Sequence, residues 1–166
     1  MEAYLERVRK VPIKTLQRRC ENLWKKFCHL RDGKVCQVRL HYPQLQLSHN
    51  NILQVDHCFS RSDKNLFIEP ANGTVVCSAC NMNKKHQNKS VHRLIDNIVA
   101  KREGLEKFEE MKSINMSHRP NVLWHSRDWL EQQEAYLKQL IESLSLTNDS
   151  IMIDLSLTND KAMVAQ

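Results

Sequence analysis

QVDHCFSRSDKNLFIEPANGTVVCSACNMNKK, residues 54–85, holds an Asp56-His57 pair, Asn72 and a Cys77-x-x-Cys80-Asn81 knuckle in one stretch. Leu53 to His57 and Thr74 to Val76 have the short apolar runs of strands. The polar connection between them carries Asn65, Pro70, Asn72 and Gly73, residue types that turn a chain. Beyond Ala79 the pattern becomes helical. The stretch therefore predicts two strands and a helix, a unit too small to bury much core of its own.

A structural zinc would replace that missing burial, and the spacing of Cys77 and Cys80 suits one tetrahedral ion. Bound as thiolates, the two cysteines would fix the start of the helix that carries Asn81. The plainer reading, two buried free thiols, is weakened by the rest of the motif beside them. Two further ligands are needed. Cys36, just before the strands, is the third. The fourth is His41 or Cys28, with His41 favoured because Cys28 falls on an apolar helix face, where a small thiol needs no metal. Cys20 reads as core and Cys58 receives no role.

The remaining polar residues suit phosphodiester hydrolysis, which needs a deprotonated water, a stabiliser of phosphoryl charge and help for the departing 3′ oxygen. His57 is the expected general base, since neutral imidazole accepts a proton near neutral pH. Asp56 and Asn81 would offer oxygens to a hard divalent cation such as Mg²⁺. Asn72 would hold the loop and orient the base, and Lys84, Lys85 and Lys89 would meet phosphates. Adjacent strand residues point to opposite faces, so Asp56 and His57 can share a site only at a strand end or a bulge. His86, five residues beyond Asn81, is rotated by about 140° on a helix and should point away. His29, His49, His92, His118 and His125 lack ligand spacing and read as surface or capping residues.

Outward from this stretch, charge is uneven. The net charge is +6; residues 1–40 hold 11 Lys/Arg against 4 Asp/Glu and residues 81–102 hold 6 against 1. Basic blocks on either side of a metal site suit a polyanion, because each Lys or Arg that meets a phosphate releases condensed counterions. The alternative for the first block is a solvated helix face. The N-terminal MEAYLERVRK lacks an apolar signal core and no apolar run approaches the roughly 18 residues of a membrane span. A reducing cytoplasm is thus the expected compartment, where cysteines serve as thiols or ligands rather than disulfides.

The 166 residues, 41% of them hydrophobic, suit one domain over residues 1–145. Ile13, Leu16, Cys20, Leu23, Trp24 and Phe27 mark one face of a basic helix over residues 13–30, closed by the turn Arg31-Asp32-Gly33. Lys34 to Leu40 reads as a strand or a metal knuckle, and residues 41–51 as an irregular excursion, within a core spanning residues 34–90. Residues 91–145 predict helices: an apolar stripe from Val91 to Val99, a second after Gly104, then a long helix capped by Ser126 and anchored by Trp124 and Trp129. LSLTND occurs at residues 144–149 and 155–160. Residues 146–166 are expected to be a flexible acidic tail.

With these residues in place, the chain resembles the HNH, or ββα-metal, nuclease superfamily, and within it the phage lambda NinG (Rap) recombination proteins. The likeness runs through RDGKVC, VDHCFS, VVCSACN, REGLEKFEEMKS and QEAYLKQL. Phage endonuclease VII is similar in placing an Asn directly after the last knuckle Cys. The resemblance implies that Asp56 and Asn81 bind the catalytic metal, that His57 activates water with Asn72 as the central Asn, and that products carry 5′ phosphates. It also implies a structure-selective endonuclease on branched DNA such as Holliday junctions, working as a homodimer if it makes paired cuts. The chain departs from the family pattern where a first Cys-x-x-Cys is usual, having Cys36-Gln37-Val38-Arg39. The expected fold is α+β, mostly helical around a ββα-metal centre. The rival functions are a homing or restriction endonuclease reading linear duplex and a non-catalytic zinc-stabilised nucleic-acid-binding module.

Overall fold

The computed structural model describes residues 11–59, 64–85, 89–117 and 121–163, with side chains at 85, 89 and beyond 147 outside the description. Pro12 starts helix α1, Ile13–Arg31, whose buried face is Leu16, Cys20, Trp24, Phe27 and Cys28. Pro suits this place because its missing N–H would be an orphan there. The helix ends in the predicted turn: Gly33 has φ +66°, a left-handed value that glycine adopts without steric cost, and Lys34 follows at φ 54°.

The next segment differs from expectation. Lys34 to Leu40 does not form a strand; Gln37–His41 is a short helix, α2, with Cys36 at its N-cap. Strand alternation would bury Leu40 with Val38, yet Val38 is fully buried and Leu40 is exposed. Val38 packs with Val91 and Ile95, so burial of one helical face wins over the local alternation.

Strands β1, Leu53–His57, and β2, Gly73–Cys77, pair antiparallel in unbroken register from Leu53↔Cys77 to His57↔Gly73. They lead into α3, Ser78–Lys85. All five residues of β2 are buried, so the strand is covered on both faces. Val75 joins the α1 core with Trp24 and Phe67, while Val76 joins a second core with Cys36, Val38 and Ile95. Two strands alone are barely stable in water; burial on both sides supplies what they lack. A Cβ on Gly73 would meet Cys28 Sγ and lie 2.7 Å from Trp24 Cζ2, which is why α1 can lie so close to the sheet.

Helices α4, Lys89–Glu103, and α5, Leu105–Ser117, are separate, broken at Gly104 with φ +88°. A 3₁₀ turn, Val122–His125, precedes α6, Arg127–Met163. Ser126 Oγ accepts from Trp129 N at 3.4 Å, the expected cap. The helix packs along α1, with Cys20 Sγ donating to Leu130 O at 3.3 Å and Arg127 to Val11 O at 2.7 Å. Its backbone continues through both LSLTND copies. The molecule is thus mostly helical around a two-stranded antiparallel sheet. Among the described residues no helix is long and apolar enough to cross a membrane.

Asp32, buried at the end of α1, ties these parts together. Its Oδ2 accepts from Val75 N at 2.8 Å, its Oδ1 from Arg31 Nε at 2.7 Å, and Arg102 of α4 lies 3.7 Å from the same oxygen. Arg31 donates to Pro70 O and Gly73 O, at 2.8 and 2.7 Å. Arg102 donates to Ala71 O and Gly73 O, at 2.8 and 3.0 Å. Removing this carboxylate leaves the buried Val75 N–H without its acceptor and the partly buried Arg31 and Arg102 with Glu103 as their remaining counter-charge. Asp32→Ala should therefore cost about 2–4 kcal/mol in urea denaturation. Glu109→Ala, which breaks only an exposed pair with Lys112, should stay within about 0.5 kcal/mol.

Candidate metal centre and adjoining cavities

Cys77 ends β2, Cys80 lies in the first turn of α3, Cys36 caps α2, and His49 enters from the loop before β1. The ligand atoms of these four residues all lie within 4.8 Å of one another. His49 Nδ1 is 3.4 Å from Cys80 Sγ, 3.5 Å from Cys77 Sγ and 3.8 Å from Cys36 Sγ, and the Cys36 and Cys80 sulfurs are 4.0 Å apart. A tetrahedral ion with metal–sulfur bonds of about 2.3 Å and a metal–nitrogen bond of about 2.0 Å sets its ligand atoms roughly 3.5–3.8 Å apart. The Cys₃His cluster fits those edges and can hold a metal ion such as zinc.

Cys36, Cys77 and Cys80 are as expected; the fourth ligand is neither His41 nor Cys28. His41 ends α2 in an exposed position. Cys28 packs against Gly73 in the α1 core, where burial pushes its thiol up to about 12, and its sulfur is not among the clustered ligand atoms. Within the cluster, the contact between the Cys36 and Cys80 sulfurs lowers the Cys36 thiol and raises that of Cys80. His49 escapes sequence reasoning because a loop residue has no periodic spacing to its partners. Asn50 is the local cause of its placement: Nδ2 donates to Ser78 Oγ at 2.8 Å, and Ser78 N donates to Ile52 O at 2.7 Å. These bonds tie the loop to the residue next to Cys77.

Beside the cluster, Asp56, His57 and Asn81 line one cavity of about 370 Å³, closed on the other side by Glu21, Lys25 and His29 of α1. The register has no bulge; Asp56 and His57 come together because His57 is the last residue of β1. His57 is buried between Trp24, at a ring-centroid distance of 4.3 Å, and Phe67, at 5.2 Å. Its Nε2 lies 2.9 Å from Phe67 O. A carbonyl only accepts, so Nε2 carries the proton and the lone pair of the neutral ring sits on Nδ1.

Asn72 is fully buried and governs that carbonyl's loop. Its Oδ1 accepts from Phe59 N at 2.7 Å and its Nδ2 donates to Leu66 O at 2.9 Å, clamping both ends of the connection that presents Phe67. Asn81 is held by Nδ2 donation to Gln54 Oε1 at 2.6 Å, while its buried Oδ1 has no hydrogen-bond partner among the described residues. A buried amide oxygen without a donor is costly unless something binds it. With the Asp56 carboxylate lining the same cavity, the donor set is two oxygens, the chemistry a hard divalent cation takes.

Lys84 turns inward rather than toward a free phosphate: its ammonium is 2.7 Å from Asp56 Oδ2 and donates to His57 O. The side chains of Lys85 and Lys89, and residues His86 and His118, lie outside the described residues. Cys58, given no role from sequence, donates to Asp96 Oδ1 at 3.2 Å, and His92 lies 2.9 Å from Asp96 Oδ2. Glu21, Lys25 and His29 were invisible as site residues because only the fold brings α1 across β1, and Gln54 because its bond to Asn81 spans from β1 to α3. Burial lowers His29 below the usual histidine range, so it adds no charge there near neutral pH.

Metal analysis of the purified chain should find about one zinc per molecule. His49→Ala should lose most of it and lower the melting temperature, whereas His41→Ala and Cys28→Ala should keep it. Retention by His49→Ala with loss in His41→Ala would reverse the ligand assignment. Compared with known proteins, the chain matches no protein-family model, no curated protein and no solved structure.

Proposed function

We propose that the chain is a metal-dependent DNA endonuclease built on a ββα-metal centre. The observation that carries this reading is the cavity lined by Asp56, His57 and Asn81, with the Asn81 amide oxygen buried and without a hydrogen-bond partner among the described residues. His57 takes a proton from water through Nδ1, and the water oxygen attacks phosphorus in line with the departing 3′ oxygen. The bond from Nε2 to Phe67 O and the Trp24 face both favour the imidazolium that results. Asp56 and Asn81 would hold Mg²⁺, which supplies charge neutralisation at the phosphoryl and leaving oxygens. Lys84 keeps the Asp56 carboxylate paired and oriented, and the Cys₃His cluster holds the start of α3 beneath Asn81.

The resemblance to the NinG-type recombination proteins points to branched DNA as the substrate, and the two basic blocks fit a polyanion. A non-catalytic zinc module must treat the meeting of Asp56, His57 and Asn81 as coincidence. A four-way junction, a flap and a linear duplex, each incubated with the protein with and without Mg²⁺, separate the readings. Junction cleavage should require Mg²⁺ and fall about 10²–10⁴-fold in His57→Ala. Unchanged cleavage by that variant would remove His57 as the base; binding without cutting under any divalent metal would favour the module, and cuts at one linear sequence the homing or restriction reading. Asn72→Ala should reduce cleavage as well, but with a lower melting temperature, because it frees the loop rather than deleting the base.

A further inference from the structure

Asp56 and His57 also form one end of a second cavity, of about 630 Å³, that hydrolysis leaves unused. Its far wall is α5, which contributes Phe108, Lys112, Asn115 and Met116, residues spaced along one helix face. Phe59 packs on Phe108 with ring centroids 5.3 Å apart. Lys84 forms the edge shared with Asp56. The wall is not a metal site: among the described residues the ligand cluster is Cys36, His49, Cys77 and Cys80. The wall's outer part is not core, since Met116 is 67% exposed, while Phe59 and Phe108 pack at its base on Cys58, Leu66 and Met111.

Aromatic and thioether surface, one amide and the Lys112 ammonium match the parts of a nucleotide, namely apolar base faces, a hydrogen-bonding base edge and an anion, while the two carboxylates of the lining are paired, Asp56 with Lys84 and Asp96 with His92. The volume lies within the roughly 300–1,000 Å³ of small-molecule sites, far more than a cation needs. A base stacked in duplex cannot reach a cavity ending at Asp56 and His57; it must first leave the stack.

We propose that this cavity is a subsite for one unpaired nucleotide beside the scissile phosphate. Its base lies against Phe59, Phe108 and Met116 with its edge on Asn115, and its phosphate lies on Lys112. The assignment rests on the phosphodiesterase reading of Asp56 and His57. Lys112 is free to take this role at little cost, because its pair with Glu109 at 3.1 Å is solvent-exposed. The subsite makes DNA with an unpaired strand next to the cut a better ligand than closed duplex.

Fluorescence anisotropy without added Mg²⁺ tests this on the full chain with three labelled probes: a short single strand, the same strand with abasic positions, and a closed duplex. Asn115→Ala/Met116→Ala, at residues outside the packed core, should bind the intact strand about tenfold more weakly than wild type. The abasic strand and the duplex should bind both proteins alike. Phe108→Leu, which keeps apolar packing, should weaken the intact strand in the same way with the melting temperature little changed. Equal binding of the intact strand by wild type and both variants overturns the subsite, as does an equal loss on the abasic strand or duplex. No cleavage is read, so a cutting His57→Ala protein would overturn the base assignment and leave this result standing.

Discussion

The Asp32 carboxylate is the constraint on which the sheet and the loop behind it depend. Among the described residues β2 has β1 on one edge only, and an unpaired strand edge leaves backbone donors without partners. Asp32 accepts from Val75 N, doing for that edge what a third strand would otherwise do. Its charge also holds Arg31 and Arg102 in place to bind the carbonyls of Pro70, Ala71 and Gly73. Those carbonyls flank Asn72. One carboxylate at a helix end therefore fixes α1, α4, β2 and the turn that carries the loop clamp.

Local signals in the sequence account for the elements, and the gaps lie where contacts are long-range. The Pro12 start, the Gly33 turn, the Ser126 cap and the Gly104 break are encoded by single residues whose backbone needs are known. The two strands and the following helix were legible from the Cys-x-x-Cys motif and its flanks. The helix at Gln37–His41 was not, because a five-residue apolar pattern fits either period and only packing on Val91 and Ile95 decides. Asp32 read as a turn residue, since nothing local marks its bond to a strand more than forty positions away.

The site shows the same division. Three cysteine ligands follow from spacing and from position before the strands, whereas His49 is set by the Asn50–Ser78 bonds across the loop. His41 was the natural choice by sequence distance, yet it ends a helix whose buried face belongs to Val38. Asp56, His57, Asn72 and Asn81 were legible as a set. What sequence could not supply was the far side of each cavity: α1 crossing β1 brings Glu21, Lys25 and His29, and α5 brings Phe108, Lys112 and Asn115.

The structural and the proposed catalytic residues are mechanically one chain. Asn72 clamps Phe59 and Leu66; that loop presents Phe67 O to His57 Nε2; and the bond leaves the basic lone pair on Nδ1. On the other side, the Cys₃His cluster joins α2, the His49 loop, β2 and α3 at the residue before Asn81. Neither clamp touches the cavity's centre, yet each sets one of its donors to within the length of a hydrogen bond. A metal at the cysteines would thus act on the cavity through the position of Asn81, and Asp32 through α1 and Asn72. The two supports meet in β2, whose first residue, Gly73, accepts from both arginines of the Asp32 node and whose last, Cys77, is a ligand. A five-residue strand buried on both faces is short and rigid enough to keep those two ends in fixed relation.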